Sequence, residues 1–300
     1  MRADGKDANQ DRERLGMIQL PDPDSVRRVA DWIELSVSVN RYRLSKAEVG
    51  SAIESVSGRE PGESFISDVW RELLYRHRLY RQPTFDVGER TVEPRPEVEP
   101  PIEYLACLIL SLFGVRGVTR DPGKLFERIT SKAVQGYLSG NAVVFGWPAP
   151  PDPEPGNEES QIKRKIRQVA QDLGERFVES PPSRFKDRGV DVIGWIPFRE
   201  GRSSQLVLLL QCYAGQDWKG KLPVSLESWY QYIHWSFNPI RGFAVPRILS
   251  ERDWHEESTE KGLLFDRARI INLIPDHVYA RTLSAELNTW VQEQLAELQP

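Results

Sequence analysis

Apolar residues recur at helical spacing through most of the first 140 positions. Ser25 stands where it can cap a helix that carries Val26, Val29 and Ile33 on one face, with Trp32 beside them. Ser45, with Glu48 three residues on, forms a capping-box pattern ahead of Val49, Ile53 and Val56. Ile66, Val69, Trp70, Leu73, Leu74 and His77 predict a third helix. The run TVEPRPEVEPP at 91–101 cannot continue one, because proline lacks an N–H and clashes with the preceding turn. Ile102–Phe113 and Pro122–Leu138 read as two more helices. The expectation is a helical domain over 25–147, preceded by a mobile arm at 1–24.

The pattern then changes. Five prolines and a glycine crowd residues 148–157, so 148–158 reads as an interdomain linker. Ser160–Leu173 is amphipathic, with Ile162, Ile166, Val169, Ala170 and Leu173 on one face and Lys163, Arg164, Lys165 and Arg167 on the others. Val190–Ile196 and Gln205–Tyr213 are β-branched or leucine-rich runs on either side of the loop Arg199–Ser204, the pattern of a hairpin. Leu226–Phe237 predicts a helix, Gly242–Ile248 a strand, Gly262–Ile274 one or two short strands, and Pro275–Leu298 a closing helix. Residues 159–300 are therefore expected to form an α/β (α+β) domain with a mixed sheet.

Composition narrows the function. The formal charge is −4, and the parts before and after residue 150 hold 21 basic against 22 acidic and 19 against 22 residues, so nucleic acid could be met only by a local patch. Two cysteines, Cys107 and Cys212, exclude a disulfide framework and a cysteine-rich zinc site, and four scattered histidines give no metal spacing. The first thirty residues hold no signal-peptide core, and the apolar stretch Tyr104–Val115 is too short to span a bilayer. A cytoplasmic chain with no membrane contact is expected.

The hairpin carries the candidate chemistry. Centred on Gly201, its partners sum to about 402, which sets Asp191 opposite Gln211. Side chains so opposed share a face with Cβ atoms roughly 4.5–5.5 Å apart. A carboxylate and an amide oxygen so placed can share a hard divalent cation. Asp191 lies within the otherwise apolar run Val190–Ile193, where a bare carboxylate is costly, and Gln211 ends Leu206–Leu210, where an amide needs a partner. The simpler alternative is that each bonds to loop backbone.

Asp187-Arg-Gly189-Val-Asp191, the hairpin and Gln211 at the end of an apolar strand resemble the restriction-endonuclease-like (PD-(D/E)xK) nuclease superfamily. They are most similar to its Mrr-like branch, in which an Asp-x-Gly-x-Asp strand precedes a Gln-x-Lys strand. The resemblance covers roughly residues 158–250. GVDVIGW, QCYAGQDWKGK and FDRARI together also resemble bacterial proteins of anti-phage defence loci. The resemblance implies a restriction-endonuclease-like C-terminal domain that hydrolyses DNA with Mg²⁺ or Mn²⁺ held by Asp191 and Gln211, with Glu175 or Asp187 added. Glu175 would fill the role of the acidic residue on that family's first helix. At the position of the family's lysine stands Tyr213, and a phenol cannot supply the missing positive charge. Lys221, with Lys219 next, is the replacement expected. Lys163, Arg164, Lys165 and Arg167, with Arg184, Lys186 and Arg188, would contact phosphates; the alternative for them is a solvated surface. A defence-system partner protein and a homodimer are further expectations.

Other signals point elsewhere. Gly215-x-x-x-x-Gly220-Lys221 matches a phosphate-binding loop up to Leu222, which stands where Ser or Thr would hold Mg²⁺. Trp254–Glu257 reads as a polar loop, Asp266-Arg267-x-Arg269 as an internal ion-pair support, and Trp229, Tyr230, Tyr232, Trp235 and Phe237 as core. Three functions stay open: a metal-dependent endonuclease, a catalytically inactive module of the same fold that binds nucleic acid or a partner, and a nucleotide-binding protein.

Overall fold

A computed structural model describes residues 18–115, 121–145, 161–178, 188–274 and 281–298. The chain divides into two compact units, Met1–Arg120 with Arg281–Pro300, and Asp121–Ala280.

The first unit is built on helices whose starts are chemically marked. In α1 (Val26–Asn40) the Ser25 side chain accepts from the Arg28 N–H. After β1 (Leu44–Ser45), the capping box of Ser45 and Glu48 opens α2 (Lys46–Ser57). Next come α3 (Glu63–Leu79), β2 (Phe85–Val87), β3 (Thr91–Pro94) and α4 (Ile102–Phe113). β1, β3 and β2 form a small antiparallel sheet in that order, which the helical pattern did not predict. α4 is buried from Tyr104 to Phe113 except at Leu105, so it needs neighbours all round. α1 packs against it, as does the C-terminal helix α10, described below. Within this core Arg76 is 1% exposed and donates to Asp31 (2.6 Å), Glu34 (2.8 Å) and Glu72 (2.6 Å). Tyr80 and Tyr104 donate their hydroxyls to Glu34. Of the expected arm, residues 1–17 lie outside the described residues. Ile18 and Leu20 are buried, and the Ile18 carbonyl accepts from the Trp32 indole, so the packed chain begins before the predicted boundary.

The second unit opens with α5 (Pro122–Leu138), capped by Asp121, and β4 (Asn141–Val144). It continues through α6 (Gln161–Asp172), β5 (Arg176–Phe177), β6 (Val192–Ile196), β7 (Leu206–Cys212), α7 (Leu226–Tyr230), β8 (Ile233–His234), β9 (Ile240–Ala244), α8 (Glu251–Lys261), β10 (Leu263–Phe265) and α9 (Arg267–Leu273). Its main sheet has the order β10-β9-β7-β6-β4. β4–β6 and β6–β7 are antiparallel, whereas β7–β9 and β9–β10 are parallel, so the sheet is mixed and the class α+β. One face receives α5: a Cβ on Gly194 would stand 2.4 Å from Val134 and 2.9 Å from Leu138. On the other, Ile162, Ile166, Val169 and Leu173 of α6 and its end join Ile193, Trp195, Val207 and Leu209 in one core. The final helix, α10 (Arg281–Leu298), belongs to the first unit.

The two compact units divide the chain at other places than the expected domain limits. The proposed linker at 148–158 lies outside the described residues. α5 and β4, which precede it, belong to the sheet unit, because β4 pairs with β6 and α5 covers Gly194. α10 leaves that unit because its apolar face, with Leu287, Trp290 and Val291 buried, packs with α4. Three local elements also differ. The helix expected at 226–237 stops at Tyr230. The loop expected around Trp254–Glu257 is α8, capped by Ser250. Asp266 starts a helix where a strand was expected. No helix among the described residues is long and apolar enough to cross a membrane.

Candidate active site on the hairpin

β6 and β7 pair from Val192↔Leu210 to Ile196↔Leu206, the register expected from a turn centred on Gly201. The pairing stops at Val192↔Leu210, and Asp191 and Gln211 are the next residues beyond it on the two strands. The Asp191 N–H donates to the Leu210 carbonyl (2.9 Å), and its Oδ2 accepts the Cys212 N–H (2.7 Å). Asp191 thus grips β7 on either side of Gln211.

Gln211 is held from the other direction. Arg188 and Gly189 both have positive φ, 56° and 76°, and this turn sets the backbone of Gly189 against the Gln211 amide. A Cβ at Gly189 would stand 2.9 Å from Gln211 Nε2, so a larger residue would displace the end of the Gln211 side chain. Gln211 Oε1 is buried and has no hydrogen-bond partner among the described residues. A buried acceptor in that state is costly unless something electropositive reaches it.

α5 adds residues that the sequence reading missed. Burial pushes the Cys212 thiol well above its ordinary value, and the negative charges of Asp191 and then Glu127 push it further. Glu127, itself buried and paired with Lys124 (2.9 Å), therefore lies within electrostatic reach of the end of β7 that Asp191 grips. The signal was present, since Pro122–Leu138 reads as an amphipathic helix ahead of the first sheet strand. Assigning that helix to another domain hid it.

The other expected site residues are distributed as follows. Glu175 is not at this site. Its carboxylate accepts the N–H groups of Ser204 (3.1 Å) and Ser236 (3.0 Å) and the Ser236 hydroxyl, at the turn end of the hairpin. That is about seven residues along the hairpin from Asp191, roughly 20 Å. There Glu175 closes a loop. Asp187, Arg184 and Lys186 lie outside the described residues. Lys219 forms an ion pair with the buried Asp253. Lys221 Nζ lies 4.7 Å from the centre of the Tyr213 ring. Among the basic residues, Lys165 donates to the Phe145 carbonyl, Arg167 is exposed with its guanidinium over Phe177, and Arg188 donates to the Tyr232 hydroxyl. Lys163 and Arg164 are half-buried on α6. Among the described residues no three His, Cys, Asp or Glu gather as a metal cluster.

The loop 213–222 is not a phosphate cradle. Trp218 is buried with Phe243, Val245, Leu249 and Leu264, and basic side chains take up the loop's carbonyls: Arg247 donates to Gly215 and Lys261 to Lys219. Asp266 and its arginines are internal supports, as expected. Asp266 caps α9 by accepting the Arg269 N–H, and Arg269 donates to the Leu264 carbonyl. Burial raises the Asp266 carboxyl above its ordinary value, against the lowering effect of those backbone bonds and of Arg267 and Arg269. Trp229, Tyr232 and Trp235 are core, whereas Tyr230 and Phe237 are exposed.

No family model matches the sequence, and no curated protein matches it. Two solved structures that it resembles are restriction endonucleases. One is the MspJI restriction endonuclease in complex with a 27-mer oligonucleotide, at 17% identity over 80% of this chain and 48% of that one, with a TM-score of 0.22. The other is the restriction endonuclease FokI, at 9% identity over 90% of this chain and 46% of that one, with a TM-score of 0.20. The chain spans about half the length of each.

Proposed function

We propose that the protein is a metal-dependent nuclease that hydrolyses DNA phosphodiester bonds, with its site where Asp191 meets Gln211. The observation that carries this reading is the buried, unpartnered Gln211 Oε1 beside Asp191, which bonds β7 on either side of it. An amide oxygen and a carboxylate suit a hard cation such as Mg²⁺ or Mn²⁺, which needs few protein ligands. Asp191 and Gln211 would hold it. Bound there, the ion would supply Lewis acidity and an activated water. The rest falls to the chain itself. Asp191 orients the end of β7, Gly189 packs against the Gln211 amide, and Lys221 offers a positive charge for a phosphate oxygen. The sheet supports the restriction-endonuclease-like reading: an antiparallel β4–β6–β7 meander follows a helix, and parallel β9 is added beside β7. Restriction or phage defence is the setting that the resemblance implies.

Incubation with supercoiled and linear DNA in Mg²⁺ or Mn²⁺ tests the proposal. Cleavage is expected, with a loss of roughly 100-fold or more in Asp191→Ala and in Lys221→Ala. The rival reading is a non-catalytic module of the same fold that binds nucleic acid or a partner protein. It is favoured by Tyr213 in place of the lysine and by the capture of Asp191 Oδ2 by the Cys212 amide. DNA binding without cleavage by the folded wild-type protein would decide for it.

A further inference from the structure

Tyr213 occupies the position from which a Gln-x-Lys strand would extend its lysine, and the structure brings a lysine back to it from eight residues downstream. The path is built. Trp218 anchors the loop in the core, the Lys221 N–H closes a turn on the Trp218 carbonyl (3.3 Å), and the Lys221 ammonium comes to rest over the Tyr213 ring. The ring is fixed from both ends. The Tyr213 N–H donates to the Ala244 carbonyl of β9 (2.9 Å), and a Cβ on Gly215 would stand 2.7–2.9 Å from the phenol oxygen and two ring carbons. Gly215 has no positive φ, and the tip of the Tyr213 ring lies where its Cβ would stand. An ammonium within about 6 Å of an aromatic face is held electrostatically. Lys219, by contrast, is committed to Asp253.

We infer that Tyr213 is a positioning residue. Its ring, kept in place by Gly215, seats the Lys221 ammonium at the end of β7, two residues from Gln211, so that ring and migrated lysine together stand in for the single lysine of the strand pattern. The catalytic meaning of that seat rests on the nuclease reading above; the seat itself does not.

The experiment separates the two. Reductive ¹³C-methylation of the lysines gives each a dimethylamine NMR signal, and loss of one signal in Lys221→Arg identifies that of Lys221. It is expected upfield of the exposed lysines through the ring current, to stay there in Tyr213→Phe, and to move to the exposed position in Tyr213→Leu. Cleavage is expected to fall about tenfold or more in Tyr213→Leu at unchanged DNA affinity, and to be restored by Tyr213→Phe, which keeps the ring. If Tyr213→Leu fails to fold, Gly215→Ala displaces the ring without removing it and is expected to give the same pair of changes. A Lys221 signal indifferent to both substitutions overturns the seat. Wild-type cleavage by a variant whose Lys221 signal has moved overturns the positioning role. If the wild-type protein does not cleave DNA, the nuclease reading falls, while the NMR signal still decides whether Lys221 is seated.

Discussion

Gly189 combines two features that favour glycine: a φ of 76° and a backbone close against the Gln211 amide. Gly189→Ala is expected to cost about 1–2 kcal/mol from the left-handed conformation alone. The contact with Gln211 adds to this, so cleavage should fall further than the shift in urea midpoint accounts for. Asp266 makes a separate prediction. Its folded carboxyl titrates above the ordinary 3.8 because it is buried. The neutral form is therefore favoured in the fold, and the contribution to stability is fully present below pH 3.8 and declines as pH rises through the folded value. Urea unfolding of Asp266→Asn, which keeps an acceptor for the cap, should match the wild type at low pH and exceed it at neutral pH. An advantage of the wild type that grows with pH would contradict this. At this scale the sequence was informative where strand pairing decides position: a glycine-centred turn was enough to give the register of β6 against β7. It was silent on Glu175, whose partners Ser204 and Ser236 are brought together only by the folded loops.

Glu175 does its work between elements. Three hydrogen bonds join the end of α6 to the hairpin loop at Ser204 and to the segment after β8 at Ser236. Glu175→Ala should lower stability by about 1 kcal/mol, measured by thermal or urea unfolding, while the Mg²⁺ concentration for half-maximal cleavage stays put. A large change in that metal dependence would return Glu175 to the site. In the other unit, Arg76 ties α3 to α1 through Asp31 and Glu34, both nearly inaccessible. Arg76→Met leaves those carboxylates buried without their cation, and a loss of about 3–5 kcal/mol is expected in chemical unfolding. Helices such as Pro122–Leu138 were legible because capping residues and apolar spacing act locally. β1, β2 and β3, two to four residues long, leave no such trace, because non-local pairing alone defines them.

The whole molecule is less legible, because the proline-rich stretch that looks like a boundary interrupts the sheet unit instead of preceding it. The division falls at 120 and 280, where side-chain packing with α4 and pairing with β6 assign the flanking helices. Removal of residues 281–300 should therefore damage the unit that begins the chain. Hydrogen exchange of α4 amides is expected to accelerate in such a truncation, while that of β7 is kept, and uniform acceleration would argue against the division. The same arrangement orders events during synthesis. The sheet unit is complete once residue 280 has emerged from the ribosome. The helical unit, although its first helices are made earlier, must wait with the apolar surface of α4 incompletely covered until the last helix arrives. A chain stalled or cleaved before that point would present a finished sheet unit beside an exposed hydrophobic helix, the kind of surface that chaperones and proteases recognise.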